Sequence, residues 1–141
     1  HRDFQSRNLM ITDGRLRIID FQDALMGPWI YDVVALLRDS YVAFTPAEVA
    51  TLLEHFRGAR EGARLDTPDL DALTAAFHLQ ALQRKLKDAG RFVYIDRVKH
   101  NDKFLPNIPR SLGYAREALD TLGGFDDVRT ILAAALPEHF G

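Results

Sequence analysis

The pattern of hydrophobic and polar residues in the first twenty residues differs from the pattern in the rest of the chain. Two short apolar runs flank the pair Asp13-Gly14. An Asp-Gly pair between apolar runs is typical of a two-residue hairpin turn, because both turn positions favour a positive φ. We therefore expect an antiparallel hairpin over residues 8–20, followed by a loop over residues 21–29.

From residue 30 onward the apolar residues recur every three to four positions, which is typical of amphipathic helices. The first such stripe runs from Ile30 to Tyr41. The segment 45–48, Thr-Pro-Ala-Glu, is a capping box with proline at the first helical position, and it predicts a second helix that ends by Gly62.

The longest and most buried helix is expected over residues 67–90, because two apolar stripes cover much of its circumference. Residues 91–105 have no clear periodicity. Two more helices are expected, one between Pro109 and Gly123 and one that Pro137 stops. The pattern as a whole predicts a mainly α fold with one β-hairpin and about five helices.

Composition excludes several classes of protein. The chain has 141 residues, 47% of them hydrophobic, and a formal net charge of −2, which are ordinary values for one globular domain. This charge offers no general attraction to nucleic acid or to an anionic membrane surface, and no apolar run approaches the roughly 20 residues that span a bilayer. The absence of cysteine excludes disulfides and favours a reducing compartment, the cytoplasm.

Residues that carry chemistry are concentrated at the start of the chain. Residues 1–8 read His-Arg-Asp-Phe-Gln-Ser-Arg-Asn, and residues 19–23 read Ile-Asp-Phe-Gln-Asp. The first segment matches the catalytic loop H-R-D-x-x-x-x-N of kinases, and the second contains the metal-binding Asp-Phe pair. With the turn at residues 13–14, the hairpin brings the two segments to the same open end.

Phosphoryl transfer explains why these residue types stand at this spacing. It needs an acceptor hydroxyl in line with the phosphate and cations that neutralise the phosphate oxygens. Asp3 is the candidate that accepts the proton of the hydroxyl, and Asn8 and Asp20 are the candidate Mg²⁺ ligands. Strict strand alternation would point Asn8 and Asp20 to opposite faces, so we expect the ladder to loosen at one of them.

Each residue also has a simpler interpretation. A lone Asp or Asn in a loop is usually a turn former, and only the joint motif favours catalysis. We expect His1 to hydrogen-bond the loop rather than to donate protons. Gln22 and Asp23 either bind hydroxyl groups of a substrate or cap the loop, and Arg7 is either solvated or paired with Asp3 or a phosphate.

The motif resembles the aminoglycoside phosphotransferase-like kinases, the superfamily that also holds the choline kinases. Residues 27–33, Gly-Pro-Trp-Ile-Tyr-Asp-Val, resemble a segment of that superfamily. The resemblance implies that its aspartate, here Asp32, opens a helix and supports the catalytic loop. Segments 1–10, 19–24, 82–87 and 107–110 are similar to bacterial anomeric kinases of N-acetylmuramate and N-acetylglucosamine, which act in cell-wall recycling.

This resemblance implies an enzyme that uses ATP and Mg²⁺, with the nucleotide and a small-molecule hydroxyl as its ligands. It also implies the C-terminal lobe of a protein-kinase-like α+β fold: a catalytic loop and metal hairpin over residues 1–23 and a helical part over residues 30–137. The N-terminal lobe with the ATP clamp has no counterpart in this sequence. We therefore expect the fragment alone to be inactive, and to expose apolar surface near His1 and along residues 68–89 that allows self-association.

Three alternatives stay open. The acceptor is an aminoglycoside or a choline-like amine if the acidic residues near the C-terminus form a site, namely Glu117, Asp120, Asp126 and Asp127. A second alternative is that the chain is a non-catalytic relic of a kinase that serves for binding and no longer transfers phosphate. The basic segment 84–103, with seven Lys or Arg and three Asp, is either a solvated helix end or a site for an anionic ligand.

Overall fold

A computed structural model describes all residues, 1–141, and shows a mainly helical chain with one two-stranded antiparallel sheet. None of its helices combines the length and the apolar character needed to cross a membrane. The elements in chain order are β1 (Leu9–Thr12), β2 (Arg15–Ile18), α1 (Tyr31–Leu37), α2 (Pro46–Gly62), α3 (Leu70–Lys99), α4 (Ile108–Leu122), α5 (Asp126–Ala135) and α6 (Pro137–Phe140). Two short 3₁₀ turns cover Ser6–Asn8 and Asp102–Asn107.

The chain divides into two compact units, His1–Phe77 and His78–Gly141. The first contains the hairpin, α1 and α2, and the second contains α4, α5 and α6; the division falls within α3. The predicted division into a catalytic hairpin and a helical part is drawn at a different place, and it stays a prediction.

The hairpin has the predicted register. Leu9 pairs with Ile18 and Thr12 pairs with Arg15, as the turn at Asp13 and Gly14 requires. Both turn residues have positive φ, 53° and 70°, which is the conformation that favours an Asp-Gly pair. Most of the hairpin side chains are exposed.

Helix α1 is shorter than the apolar stripe predicts. It ends at Leu37, so the prediction of a helix to Tyr41 is wrong. The side chain of Asp39 accepts a hydrogen bond from the backbone N–H of Tyr41 at 2.8 Å. An aspartate that bonds a backbone N–H two residues onward offers the chain an alternative to the helical ladder, and the helix stops there.

Helix α2 has the predicted capping box. The Thr45 hydroxyl accepts from the Glu48 N–H, and the Glu48 carboxylate accepts from the Thr45 N–H at 2.7 Å. The helix ends at Gly62, as expected. On its side, the ring of Phe56 stacks on Trp29 with centroids 6.1 Å apart, which joins the loop before α1 to α2.

Helix α3 is longer than predicted. Its N-terminus is capped by Asp69, whose carboxylate accepts from the Ala72 N–H at 2.8 Å. The predicted end at Gly90 is wrong, since an exposed glycine inside a helix costs only about 1 kcal/mol relative to alanine. The helix continues to Lys99, and His100 then takes a left-handed φ of 53°.

Each of the two apolar stripes of α3 contains both buried and exposed residues. Leu73, Phe77 and Ala81 are fully buried. In contrast, Leu70 and Leu79 are 44% and 51% exposed. The predicted exposure of apolar side chains along this helix is therefore observed at these two positions.

The second unit confirms the predicted helix ends. Helix α4 stops at Gly123, whose φ of 62° is the left-handed conformation that glycine tolerates. Helix α5 ends before Pro137, which begins the short α6. The ring of Phe92 stacks on Phe104 at 5.7 Å, and this contact secures the segment after α3.

Candidate active site

The open end of the hairpin brings Asn8 and Asp20 together. The last ladder bond runs from the Ile19 N–H to the Asn8 carbonyl at 3.0 Å. Asp20 then has a φ of 63°, a left-handed conformation that Asp adopts more readily than most residues. The alternation of the strand is broken there, and the Asn8 amide nitrogen lies 3.5 Å from the Asp20 carboxylate.

The side chain of Asn8 is also tied to Asp3. Its amide nitrogen donates to the Asp3 carbonyl at 2.8 Å. The intervening chain is a tight turn in which the Asn8 N–H donates to the Gln5 carbonyl at 2.9 Å. Because the amide nitrogen is used within the loop, the amide oxygen of Asn8 is the atom that remains for a cation. The carboxylate of Asp3 is exposed at the same end.

The side chain of Gln22 lies against Asp20. Its amide nitrogen donates to the Asp20 carboxylate at 2.7 Å, so one oxygen of that carboxylate is already held. Asp23 contacts the catalytic loop through its backbone carbonyl, which accepts a hydrogen bond from the Arg2 guanidinium at 3.1 Å. The predicted contacts of Gln22 and Asp23 with substrate hydroxyls stay predictions.

Asp32 and His1 hold the beginning of the loop. The Asp32 carboxylate, in the first turn of α1, accepts from the backbone nitrogens of His1 at 2.8 Å and Arg2 at 2.9 Å. The ring Nε2 of His1 donates to the Ile19 carbonyl at 2.9 Å. His1 therefore connects the loop to the residue before Asp20.

Asp39 is a site residue that the sequence pattern did not reveal. It is 1% exposed, and its carboxylate accepts from the backbone N–H of Ser6 at 2.7 Å as well as from Tyr41. The guanidinium of Arg7 stacks on the Tyr41 ring at 3.7 Å. The only available signal was an aspartate within the apolar stripe that ends at Tyr41, and the helical period of that stripe concealed it.

The donor set at the hairpin end fits Mg²⁺. An amide oxygen and a carboxylate are oxygen ligands of the kind it prefers, and it commonly takes few protein ligands beside phosphate and water oxygens. No group of three or more His, Cys, Asp or Glu side chains is arranged to hold a metal ion. A site built from Asn8 and Asp20 would leave further coordination positions for phosphate or water oxygens.

Two cavities lie beside the loop in the first unit. One, of about 520 Å³, is lined mainly by apolar side chains around His1, Phe4, Trp29 and Leu52. The other, of about 360 Å³, adjoins Met26, whose side chain is fully exposed. Both cavities adjoin His1 and are lined in part by exposed apolar side chains, as predicted for the surface near His1.

The basic segment lies in α3 and the turn after it, within the second unit. Arg84 and Lys85 are buried, so the interpretation as a solvated helix end does not hold for them. The Asp88 carboxylate lies 3.7 Å from the guanidinium of Arg84, 3.2 Å from the Lys85 ammonium and 3.0 Å from that of Lys87. The alternative of an anionic ligand stays a prediction.

Comparisons with known proteins agree with the motif. A model described as "Phosphotransferase enzyme family" matches residues 1–66. The chain is 42% identical over 117 residues to an N-acetylmuramate/N-acetylglucosamine kinase of Neisseria meningitidis, covering 82% of this chain and 35% of that protein. It is 32% identical over 139 residues to a protein of the same name from Pseudomonas aeruginosa, covering 98% of this chain and 41% of that protein.

No solved structure matches the chain significantly. The chain spans about two fifths or less of the length of these two curated relatives. Within that span the family match covers the loop, the hairpin, α1 and α2, which include every residue of the network described above. Residues 1–66 are therefore similar to the phosphotransferase enzyme family, and most of the chain is similar to part of these named kinases.

Proposed function

We propose that the protein containing this chain is a small-molecule kinase that transfers phosphate from ATP, with Mg²⁺, to a hydroxyl group of an amino sugar. The observation that carries the proposal is the hydrogen-bonded connection from Asp3 through the Asn8 amide to the Asp20 carboxylate, at 2.8 and 3.5 Å. In this proposal Asp3 is the base, and Asn8 and Asp20 supply two oxygen ligands at the same end of the hairpin. Because Asp3, Asn8 and Asp20 are all present, we favour a catalytic protein over a non-catalytic relic of a kinase.

The roles follow from the chemistry of each group. The hydroxyl oxygen of the acceptor attacks the terminal phosphorus of ATP, the bond from that phosphorus to the ADP oxygen breaks, and Asp3 accepts the hydroxyl proton. Asn8 and Asp20 would hold Mg²⁺, which would neutralise charge on the phosphate oxygens. Asp32 and His1 keep the loop in place through backbone contacts.

The identity of the acceptor rests on the relatives. The two relatives described above are both named N-acetylmuramate/N-acetylglucosamine kinase, and we infer the same substrate class, with a role in cell-wall recycling, for the protein that contains this chain. The acidic residues that would favour an aminoglycoside or an amine are partly neutralised, because Asp120 pairs with Arg129 at 2.7 Å. A cytoplasmic location stays a prediction.

We further propose that residues 1–141 are part of the C-terminal lobe of a two-lobed kinase. The relatives are more than twice as long as the aligned span. The apolar side chains at the tip of the hairpin and in the loop after it are exposed, for example Ile11 at 79% and Phe21 at 65%, and burial against further chain would remove this surface from water. Such a part needs the remaining lobe to bind ATP, so the fragment alone is expected to be inactive.

The experiment is a transfer assay with the full-length protein. It is supplied with γ-labelled ATP, Mg²⁺ and, in separate reactions, N-acetylmuramate, N-acetylglucosamine, kanamycin and choline. Phosphorylation of the two amino sugars supports the proposal, and loss of that activity in Asp3→Ala assigns it to this site. Transfer to none of the acceptors, or an undiminished rate in Asp3→Ala, would refute it; transfer to kanamycin or choline alone would replace the substrate class.

A further inference from the structure

The structure assigns to Asp39 the role of a second positioning residue for the catalytic loop, opposite to Asp32. This inference rests on the proposed kinase function and concerns the same site. Both carboxylates flank α1: Asp32 lies in its first turn, and Asp39 follows two residues after its end. Asp32 accepts from the backbone at residues 1 and 2, whereas Asp39 accepts from Ser6.

The two anchors hold the two ends of one short loop. The helix between them, from Asp32 to Leu37, rises about 7.5 Å, and Asp39 follows two residues beyond its end. The loop itself is folded rather than extended, since the Gln5 N–H donates to the Asp3 carbonyl at 2.9 Å. Helix α1 thus acts as a rigid spacer, and Asp3 lies on the stretch of loop that its two ends hold.

Asp39 acts on Asn8 through the turn that starts at Ser6. The turn covers Ser6–Asn8, and the Asn8 side chain returns from its end to the Asp3 carbonyl at 2.8 Å. Displacement of the Ser6 N–H therefore moves Asn8 relative to Asp3 and Asp20. A carboxylate is suited to this task because its two oxygens serve two donors, Ser6 at 2.7 Å and Tyr41 at 2.8 Å.

Burial makes this anchor stiff. Asp39 is 1% exposed, so water does not replace a lost partner, and a buried charge is retained only where hydrogen bonds satisfy it. The Arg7 guanidinium on the Tyr41 ring, 3.7 Å away, adds a second contact between the same two segments. We expect the contact to affect the rate of the chemical step more than the binding of the sugar.

Two variants test the anchor from its two sides. In Asp39→Asn the charge of the carboxylate is lost. One of the two oxygens that accept from the N–H groups of Ser6 and Tyr41 is also replaced by an N–H group. In Ser6→Pro the donor itself is removed. Proline is tolerated there because Ser6 begins the turn and Gln5 before it is extended, with φ −131° and ψ 164°.

Matched controls separate this contact from general damage. Ser6→Ala removes the hydroxyl but keeps the N–H donor. Asp69→Asn changes a capping carboxylate at the start of α3 that bonds Ala72. The full-length protein and all variants are assayed with N-acetylglucosamine, ATP and a Mg²⁺ titration, and amide hydrogen exchange at Ser6 is followed by NMR.

The expected result is a fall in kcat of about 10- to 100-fold in Asp39→Asn and Ser6→Pro, with an unchanged KM for the sugar and near-normal controls. The double variant should be no slower than the slower single variant, because both remove one contact. A kcat close to that of the controls in either folded variant would overturn the assignment, as would fully additive effects.

Hydrogen exchange tests the anchor even if the proposed function fails. Should the wild-type protein transfer phosphate to no acceptor, the kinase proposal is refuted by that result alone. Slow exchange of the Ser6 amide that becomes fast in Asp39→Asn would still support the anchor. Equally fast exchange in both proteins would refute it.

Discussion

The Asn8 side-chain amide donates to the Asp3 backbone carbonyl at 2.8 Å. This bond links a candidate metal ligand to a candidate base across the loop. It uses the backbone of Asp3, so the Asp3 carboxylate can be changed without removing the bond. The two residues can therefore be tested separately.

Asp3→Asn is expected to lower kcat by about 10² to 10⁴-fold, the usual contribution of a general base. The fold should persist, because the contact with Asn8 runs through the Asp3 carbonyl. The measurement is the transfer rate with a saturating sugar, together with a thermal melt. Asp71→Asn, which changes an acidic residue in the first turn of α3, is the control and should keep the wild-type rate; equal rates in all three proteins would exclude Asp3 as the base.

Asp20→Asn should weaken cation binding strongly. Asparagine tolerates the left-handed φ of 63°, so the backbone is preserved while the charge is lost. Binding of Mn²⁺ in the presence of a non-hydrolysable ATP analogue, followed by electron paramagnetic resonance, should fall by about tenfold or more. Unchanged Mn²⁺ binding would show that the cation is held elsewhere.

Gln22→Ala distinguishes two roles of the glutamine. If Gln22 acts through Asp20, as the 2.7 Å bond indicates, the Mg²⁺ concentration for half-maximal rate should rise several-fold, with the KM for the sugar unchanged. If Gln22 binds the sugar, the KM for the sugar should rise while the Mg²⁺ dependence stays the same. Gln80→Ala, at a glutamine on α3 that bonds Gln83, is the control.

The capping box of α2 should make stability depend on pH. The backbone N–H of Thr45, and secondly its hydroxyl, bond to Glu48 and hold the pKa of that carboxyl below its ordinary value of 4.5. A depressed pKa in the folded state means that the contribution is complete above the unfolded pKa and is lost as pH falls through the folded pKa.

The measurement is the urea midpoint of the wild-type protein and of Glu48→Gln between about pH 7 and pH 3, a range that spans the titration of a carboxyl group. The difference between them should shrink at the acid end, because the carboxamide introduced by the substitution does not titrate. Glu138→Gln, which removes a carboxylate from α6 outside the capping box, corrects for the loss of charge. A difference that is constant over this range would contradict the assignment.

Local sequence signals predicted the parts of the fold that depend on neighbouring residues. The Asp13-Gly14 pair determines the register of the hairpin, because the turn conformation leaves one pairing of the strands. The capping box at Thr45 and the glycine at 123 mark helix ends by hydrogen bonds and a φ that few residues adopt. The motif from residue 1 to residue 23 likewise named Asp3, Asn8 and Asp20 as the group to examine.

Other features were not visible in the periodicity or composition of the sequence. The end of α1 is decided by Asp39, whose carboxylate reaches Ser6, 33 residues away, and no periodicity reports that bond. Helix α3 passes through Gly90 and ends before His100, whose left-handed φ the sequence pattern does not reveal. Gln22 faces Asp20 because of the backbone turn at Asp20 itself.

The sequence by itself thus determined which residues are candidates for chemistry and where most elements begin, since those signals are local. Only the tertiary structure decided how the loop is held: Asp32 at one end of α1 and Asp39 beyond the other. The physical reason is that a hydrogen bond to a backbone N–H needs no particular residue type at the donor. Ser6 could therefore be recognised as an anchor point only after the chain had folded.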